Sequence, residues 1–549
     1  MRLLRTLLRG SGPRPRYFSV NPDRGLGPLP QRAVPAIALF LLLAACQTST
    51  DRTLQALDLN EISATQLQSA MAAGEISAED VVLHYIQRIE RLNPQLRAVL
   101  EINPDAVDIA RTLDAERAAG QLRSPLHGIP VLLKDNIDTA DRMLTTAGSL
   151  ALVDAPTPAK DAFLVQRLRD AGAVILGKTN MSEWANFRST SASSGWSARG
   201  GQTRNPYVFE RTPCGSSSGS AVAVAANLSV LAIGTETDGS ILCPSSHNSL
   251  VGLKPTLGMI SRVGIIPIAH SQDTAGPMTR TVTDAALLMN VLVAADPEDE
   301  ITTNMRTRTP LDYTRYLVPD GLRGKRIGVM GQDFSQSPEL NALMDEQLEV
   351  LRQAGAELIS LGIRTRASFG NAETVVLLHE FKNDLNNYLY ERGGPIQTLE
   401  DLIRFNEENA TTEMPDFGQE LFLQAQETGG LGVTEYLTAL GMSKAVAQTN
   451  LNNALRELDL HAIVAPTNSV GWLVDAKGDK TEGYISNSSL AAVSGYPSIT
   501  VPAGYIDGFP IGITFIGGEF SEPTLFTIAY GFEQLTLARR APPETQVED

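Results

Sequence analysis

The stretch from Cys214 to Pro244, CGSSSGSAVAVAANLSVLAIGTETDGSILCP, constrains the fold more than any other part of the chain. A glycine-serine cluster opens it and a second one closes it, with an apolar run between. Structurally, this is two turns flanking a buried helix, GSAVAVAANL, and a buried strand, VLAIGT. Chemically, it gathers backbone N–H groups and hydroxyls at one point. The helix-then-strand order also occurs upstream in KDAFLVQRLRDAGAVILGKTN, with a stop at Gly172 and a strand through Val174, Ile175 and Leu176. The short apolar run IPVLLKDNID precedes it and reads as a strand. Together these predict βαβ units, an α/β fold and a largely parallel sheet.

The remaining elements follow from periodicity. SAEDVVLHYIQRIERLNPQLRAV has helical spacing from the N-cap candidate Ser77, and DAVDIARTLDAERAAG is a second helix stopped near Gly120. TRTVTDAALLMNVLVAA is a further helix, capped by Thr281 or Thr283. KRIGVM, LHAIVAPT and PSITVPAGYIDGFPIGITFIG read as strands. Residues from about 335 to 450 are helix-rich without a chemical pattern, and they are expected, with Trp184, to shape a substrate cleft. No internal repeat is visible.

The chain has 549 residues and a formal net charge of -17. That acidic balance argues against a nucleic-acid partner, whose phosphates it would repel. The N-terminus differs in kind. A basic segment rich in Gly and Pro leads into AVPAIALFLLLAAC, Ala33 to Cys46. This run suits a signal-peptide core and is too short to span a bilayer. Its end, LAAC, resembles a bacterial lipobox, in which Cys46 would be lipidated. A buried N-terminal helix is the alternative. The lipobox reading places the protein on the periplasmic face of a bacterial membrane, and Gln47 favours the outer membrane. A start codon set too far upstream would explain the long basic segment, with Val20 or Leu26 as alternative starts.

After Cys46 only Cys214 and Cys243 remain. An exported protein can pair them, but their separation in space is not readable from sequence, and two unpaired, buried thiols is the simpler reading. They do not make a zinc site, which needs four ligands at short spacing.

Six histidines are present: His84, His127, His247, His270, His379 and His461. None lies in a suggestive motif, so Ser-His-Asp chemistry would depend on the fold to bring one to a serine. GSSSG at Gly215 to Gly219 matches a nucleophile elbow only loosely. Lys134, at the end of an apolar strand, is the other available base. A free lysine has a pKa of about 10.4, and burial can lower it to the roughly 7–8 that a base needs. Otherwise Lys134 snorkels or pairs with Asp135 or Asp138.

CGSSSGS, GTETDGSIL and GIPVLLKDN, with GKTNMSEWA, GLKPTLG, QDTAGPM and VSGYPSITVPAG, together resemble the amidase signature family of Ser-cisSer-Lys hydrolases. The resemblance runs from about Ser77 to Glu533, and within the family the serine-rich segment is most similar to bacterial peptide amidases. It implies the amidase signature fold: a mixed, largely parallel, twisted central sheet with helices on both sides. It implies Lys134 as base, Ser216 as a bridging serine in a cis peptide, and Ser240 as nucleophile. The backbone N–H groups of Thr237, Asp238 and Gly239 would form the oxyanion hole, with Ser217 and Thr235 orienting Lys134 from behind. It implies no metal and no organic cofactor, and a small amide or peptide amide as substrate.

Three departures stand out. Glu236 replaces the family's Asp, Asp238 replaces its first Gly, and Leu242 replaces its Arg. Asp tolerates positive φ, so Asp238 can keep an irregular loop. Losing the arginine puts some family substrates in doubt. The implied activity is amide hydrolysis to acid and ammonia through an acyl-enzyme, with the C-terminal amide of peptides as the expected target. Alternatives are a general aliphatic, aryl or fatty amide hydrolase, an amidotransferase component of a tRNA-modifying complex, and a catalytically dead amide-binding lipoprotein. The expected layout is a signal peptide over 1–46, a tether over 47–60, one amidase domain over 61–535, and a disordered tail over 536–549.

Overall fold

The computed structural model describes residues 58–543, apart from 309, 332, 333, 336, 363–368 and 476. The signal peptide with Cys46, and the tether up to residue 57, lie outside the described residues.

The strands are β1 (Val99–Ile102), β2 (Pro130–Lys134), β3 (Val174–Thr179), β4 (Trp196–Ser197), β5 (Gly201–Gln202), β6 (Leu231–Glu236), β7 (Val251–Lys254), β8 (Thr274–Thr279), β9 (Arg326–Met330), β10 (Glu357–Leu361), β11 (Ala462–Pro466), β12 (Ser498–Ile506) and β13 (Phe509–Ile516). β4 and β5 form a small ribbon. The other eleven make one sheet in the order β1-β3-β2-β6-β8-β7-β12-β13-β11-β9-β10. The sheet is mixed. β3–β2–β6 and β11–β9–β10 run parallel, and the other six pairings are antiparallel. The antiparallel share exceeds what the βαβ pattern alone predicts, because β7, β8 and the β12–β13 hairpin fill the middle.

Every residue of β2, β3, β6 and β8 is buried. Successive side chains point to opposite faces, so both faces of this part of the sheet are covered. The expected βαβ unit is present: β2, the helix Phe163–Asp170, and β3 parallel to β2. The helix Ser218–Ala225 and β6 form the next unit, with β6 parallel to β2 on its other side. Ser77 caps the helix Ala78–Leu96 through a capping box with Asp80. Thr281 rather than Thr283 caps Val282–Leu292, accepting from the Asp284 amide. The helix-rich region includes Pro338–Gln353, Gly370–Arg392, Leu399–Glu408, Glu420–Glu427 and Thr434–Glu457. Among the described residues, no helix is long and apolar enough to cross a membrane.

Two expectations are corrected. The first concerns the tail. The last helix, Glu522–Thr536, is followed by residues that dock. Arg539 pairs with Glu61 at 2.7 Å and donates to the Ser249 carbonyl at 2.7 Å, and the Arg540 amide donates to the Tyr505 hydroxyl at 2.8 Å. These polar partners hold Arg539 and Arg540, at the start of a tail whose composition reads as disordered; residues 544–549 lie outside the described residues. The second concerns the cysteines. Cys214 and Cys243 are disulfide-bonded, with Cα atoms 5.9 Å apart, a separation ordinary for such a bond. They meet because β6 returns the chain to where the preceding helix began.

Candidate active site

That return also assembles the site. Ser216 lies just before the helix Ser218–Ala225, and Ser240 lies just after β6. The two ends are tied by a hydrogen bond from the Ser217 amide to the Ser240 carbonyl, 3.2 Å. β2 runs parallel to β6 with Leu133 opposite Ile233. This register brings Lys134, the last residue of β2, beside Thr235.

Lys134 is fully buried. Its Nζ donates to Ser216 Oγ at 2.7 Å, to Thr235 Oγ1 at 2.8 Å and to the Thr235 carbonyl at 3.2 Å. Burial pushes the amine down to about 7, against the upward pull of the Asp273 and Glu236 carboxylates. Its alternative partners are engaged elsewhere. Asp135 pairs with Arg199 at 3.1 Å, and Asp138 meets Arg392 and Tyr388.

The peptide between Gly215 and Ser216 is cis. The Ser216 carbonyl accepts from the Ser182 amide at 3.0 Å. A Cβ at residue 215 would overlap the Ser182 hydroxyl, so a side chain there would displace Ser182. Ser217 Oγ donates to the Thr235 carbonyl at 3.1 Å and accepts from the Thr235 amide at 3.2 Å, which fixes Thr235 behind Lys134. Ser240 itself is partly exposed, within reach of an incoming molecule.

The loop before Ser240 is held from several sides. The left-handed residue is Gly239, φ 81°, and not Asp238 as the glycine-to-aspartate departure suggests. Asp238 instead accepts from the Ser488 and Ser489 hydroxyls, each at 2.6 Å. Thr237 Oγ1 donates to Asp273 at 2.5 Å, and its carbonyl accepts from Gln272 at 3.3 Å. Glu236 accepts from the Ile241 and Leu242 amides at 2.8 and 3.0 Å, which closes the turn past Ser240. Leu242 is buried. Asn136, Gln272, Asp273, Ser488 and Ser489 also hold the site, and sequence reasoning does not single them out. Asn136 donates to Thr235 Oγ1 at 3.0 Å. Its place two residues after the lysine is the one hint of a role.

The histidines serve other surroundings. His247 is buried among Trp472, Tyr484 and Phe509, and burial pushes it down to about 3. His270 bonds Asp384 at 2.8 Å, and that contact raises its pKa. Trp184, expected to line the cleft, is 2% exposed and packs edge-on against Phe422 in an apolar cluster with the helix-rich region. Its role is core packing.

Comparison with known proteins agrees with this architecture. The Amidase family profile matches residues 80–526. A protein of Arabidopsis thaliana named as a probable amidase is 42% identical over 513 residues, covering 91% of this chain and 95% of its own length. The chain therefore belongs to the amidase family, with the amidase signature fold, and is an amide hydrolase of that class. Among solved structures it is similar to the native peptide amidase of Stenotrophomonas maltophilia, with a TM-score of 0.85 and 49% identity over 88% of this chain and 99% of the other. It is also 34% identical over 501 residues to a glutamyl-tRNA(Gln) amidotransferase component of Moorella thermoacetica, covering 89% of this chain and all of that protein.

Proposed function

We propose that the protein hydrolyses carboxylic amides through an acyl-enzyme on Ser240, and that its substrates are peptides bearing a C-terminal amide. The single observation that carries the mechanism is the buried Lys134 amine, 2.7 Å from Ser216 Oγ and pushed down to about 7. Once neutral, that amine accepts the Ser216 proton, and Ser216 in turn takes the Ser240 proton. Ser240 attacks the amide carbonyl, and the backbone N–H groups of Thr237, Asp238 and Gly239 receive the developing oxyanion. The proton returns along the same hydroxyls to the departing ammonia, and water releases the acid. Likeness to peptide amidases over nearly the whole catalytic body supports the substrate class.

Ser240→Ala abolishes amide hydrolysis in a folded protein under this reading, and wild type alone is trapped by a fluorophosphonate. Turnover that persists in the variant would overturn the mechanism. A screen of amidated dipeptides against simple aliphatic and aryl amides tests the substrate; faster turnover of the simple amides would overturn that part. The Cys214–Cys243 bond supports an oxidising compartment and so export, and the LAAC sequence ending at Cys46 supports a lipid anchor. Labelled fatty acid that still attaches to Cys46→Ala would refute the anchor.

A further inference from the structure

Behind the loop that precedes Ser240 sits a carboxylate the mechanism does not use. Asp273 is largely buried, and each of its oxygens is engaged. Oδ1 accepts from Thr237 Oγ1 at 2.5 Å. Oδ2 accepts from the amides of Ile268 and Ala269 at 2.8 and 2.9 Å. One carboxylate therefore clamps the start of the oxyanion loop to the segment 268–273. That segment is itself fastened to the helix Gly370–Arg392: the His270 amide donates to Asp384 at 3.0 Å and the Ser271 amide to Glu380 at 2.9 Å. Gln272 adds a second tie, donating to the Thr237 carbonyl at 3.3 Å and to Glu373 at 3.2 Å.

We propose that Asp273 is a positioning residue for the reaction: its carboxylate fixes Thr237, and through it the backbone donors ahead of Ser240. The inference rests on the mechanism proposed above. The Asp273 charge also acts on Lys134, with a clear sign. Asp273 is the foremost group drawing the Lys134 amine upward against burial, ahead of Glu236. Asp273 itself is raised by burial to about 6. The other charges facing the pair are Asp384, which raises Asp273, and Arg262, which feels the Asp273 charge. Glu236 is in turn faced by Lys254 and Asp238.

Asp273→Asn removes the charge and keeps part of the clamp, because an asparagine can accept from the two amides with Oδ1 while its Nδ2 donates to a reversed Thr237 hydroxyl. Without the negative charge the Lys134 amine loses its proton more readily. The acid limb of kcat/KM moves to lower pH by about half a unit or more. The reversed contact also weakens the clamp, and the plateau kcat falls about fivefold with KM nearly unchanged. Thr237→Val cuts the clamp and leaves the Asp273 carboxyl in place, so kcat falls by a similar factor; the lost hydrogen bond raises Asp273, so any movement of the acid limb is to lower pH. An Asp273→Asn enzyme with wild-type kcat and an unmoved acid limb overturns the proposal. A Thr237→Val enzyme with wild-type kcat, or with only KM raised, also overturns it, and this arm stands even if Asp273→Asn does not fold. Lys134→Ala run alongside separates the two readings. If it remains active, the base assignment fails; if it is dead and the other two variants behave as wild type, only the role of Asp273 fails.

Discussion

Thr235 gives Lys134 two acceptors from one residue, its hydroxyl at 2.8 Å and its carbonyl at 3.2 Å, and neither carries a formal charge. The contrast with Lys178, equally buried, is instructive. Lys178 donates to the Ile137 carbonyl at 2.6 Å and to Thr145 at 2.7 Å, and burial lowers its amine too, but against the pull of four carboxylates, Asp135, Asp138, Asp141 and Glu101. Among the described residues, Lys134 has Asp273 and Glu236 alone to favour its ammonium. Dipoles orient the amine at position 134 without holding its proton.

The rate should report that proton. A base must be neutral, so kcat/KM is expected to fall about tenfold per unit as pH drops below about 7, where Lys134 takes up a proton. A pH profile from 5 to 9 on a non-ionising amide checks this. A limb well above pH 9 would mean the lysine is not depressed.

Stability should rise with pH in the same sense as the rate. The folded pKa of Lys134 lies below its unfolded value, so between about 7 and 10 the unfolded chain binds one proton more. The stability of wild type therefore rises with pH across that window, by about 1.4 kcal/mol per unit relative to Lys134→Met. Urea unfolding of both proteins at several pH values measures the difference, with groups remote from Lys134 cancelling between them.

Thr235→Val removes the hydroxyl that both Lys134 and Asn136 use. The buried Asn136 amide loses an acceptor, at a cost of about 1–3 kcal/mol. The lysine loses its orientation toward Ser216, and kcat should drop at least about tenfold. Thermal melting and steady-state kinetics on one preparation test both effects.

Reduction should weaken the enzyme. The disulfide joins residues 29 apart, one beside the cis peptide and one just past Ser240. Closing a loop of that length stabilises the fold by roughly 3–4 kcal/mol in the chain-entropy account. A phosphine reductant is expected to lower the melting temperature and, before unfolding, the turnover. A Cys214→Ser, Cys243→Ser double variant should be insensitive to it.

Much of the fold is legible in the sequence where one segment carries its own reason. The caps at Ser77 and Thr281, the apolar strands ending at Lys134 and Glu236, and the β12–β13 hairpin are all local in origin. β8 is not legible, because TAGPMT contains Gly276 and Pro277, which argue against a central strand. The structure accommodates Pro277 because β7 pairs only with Met278 and Thr279, so the ladder on that side has already ended. β7 is four residues long and carries a glycine, and β10 is a half-exposed edge. In the site, residues quoted for their spacing come together, but their holders do not announce themselves. Ser488 reaches Asp238 across 250 positions, and serine is common in turns for other reasons. Trp184 misleads because a large aromatic near a cleft and one inside a core look alike along a chain.

The clasp between Arg539 and Glu61 sets the beginning and the end of the catalytic body side by side. A short flexible bridge could join them, and the chain could then be reopened at an exposed turn such as Asp507–Gly508 to give a circular permutant with its working parts undisturbed.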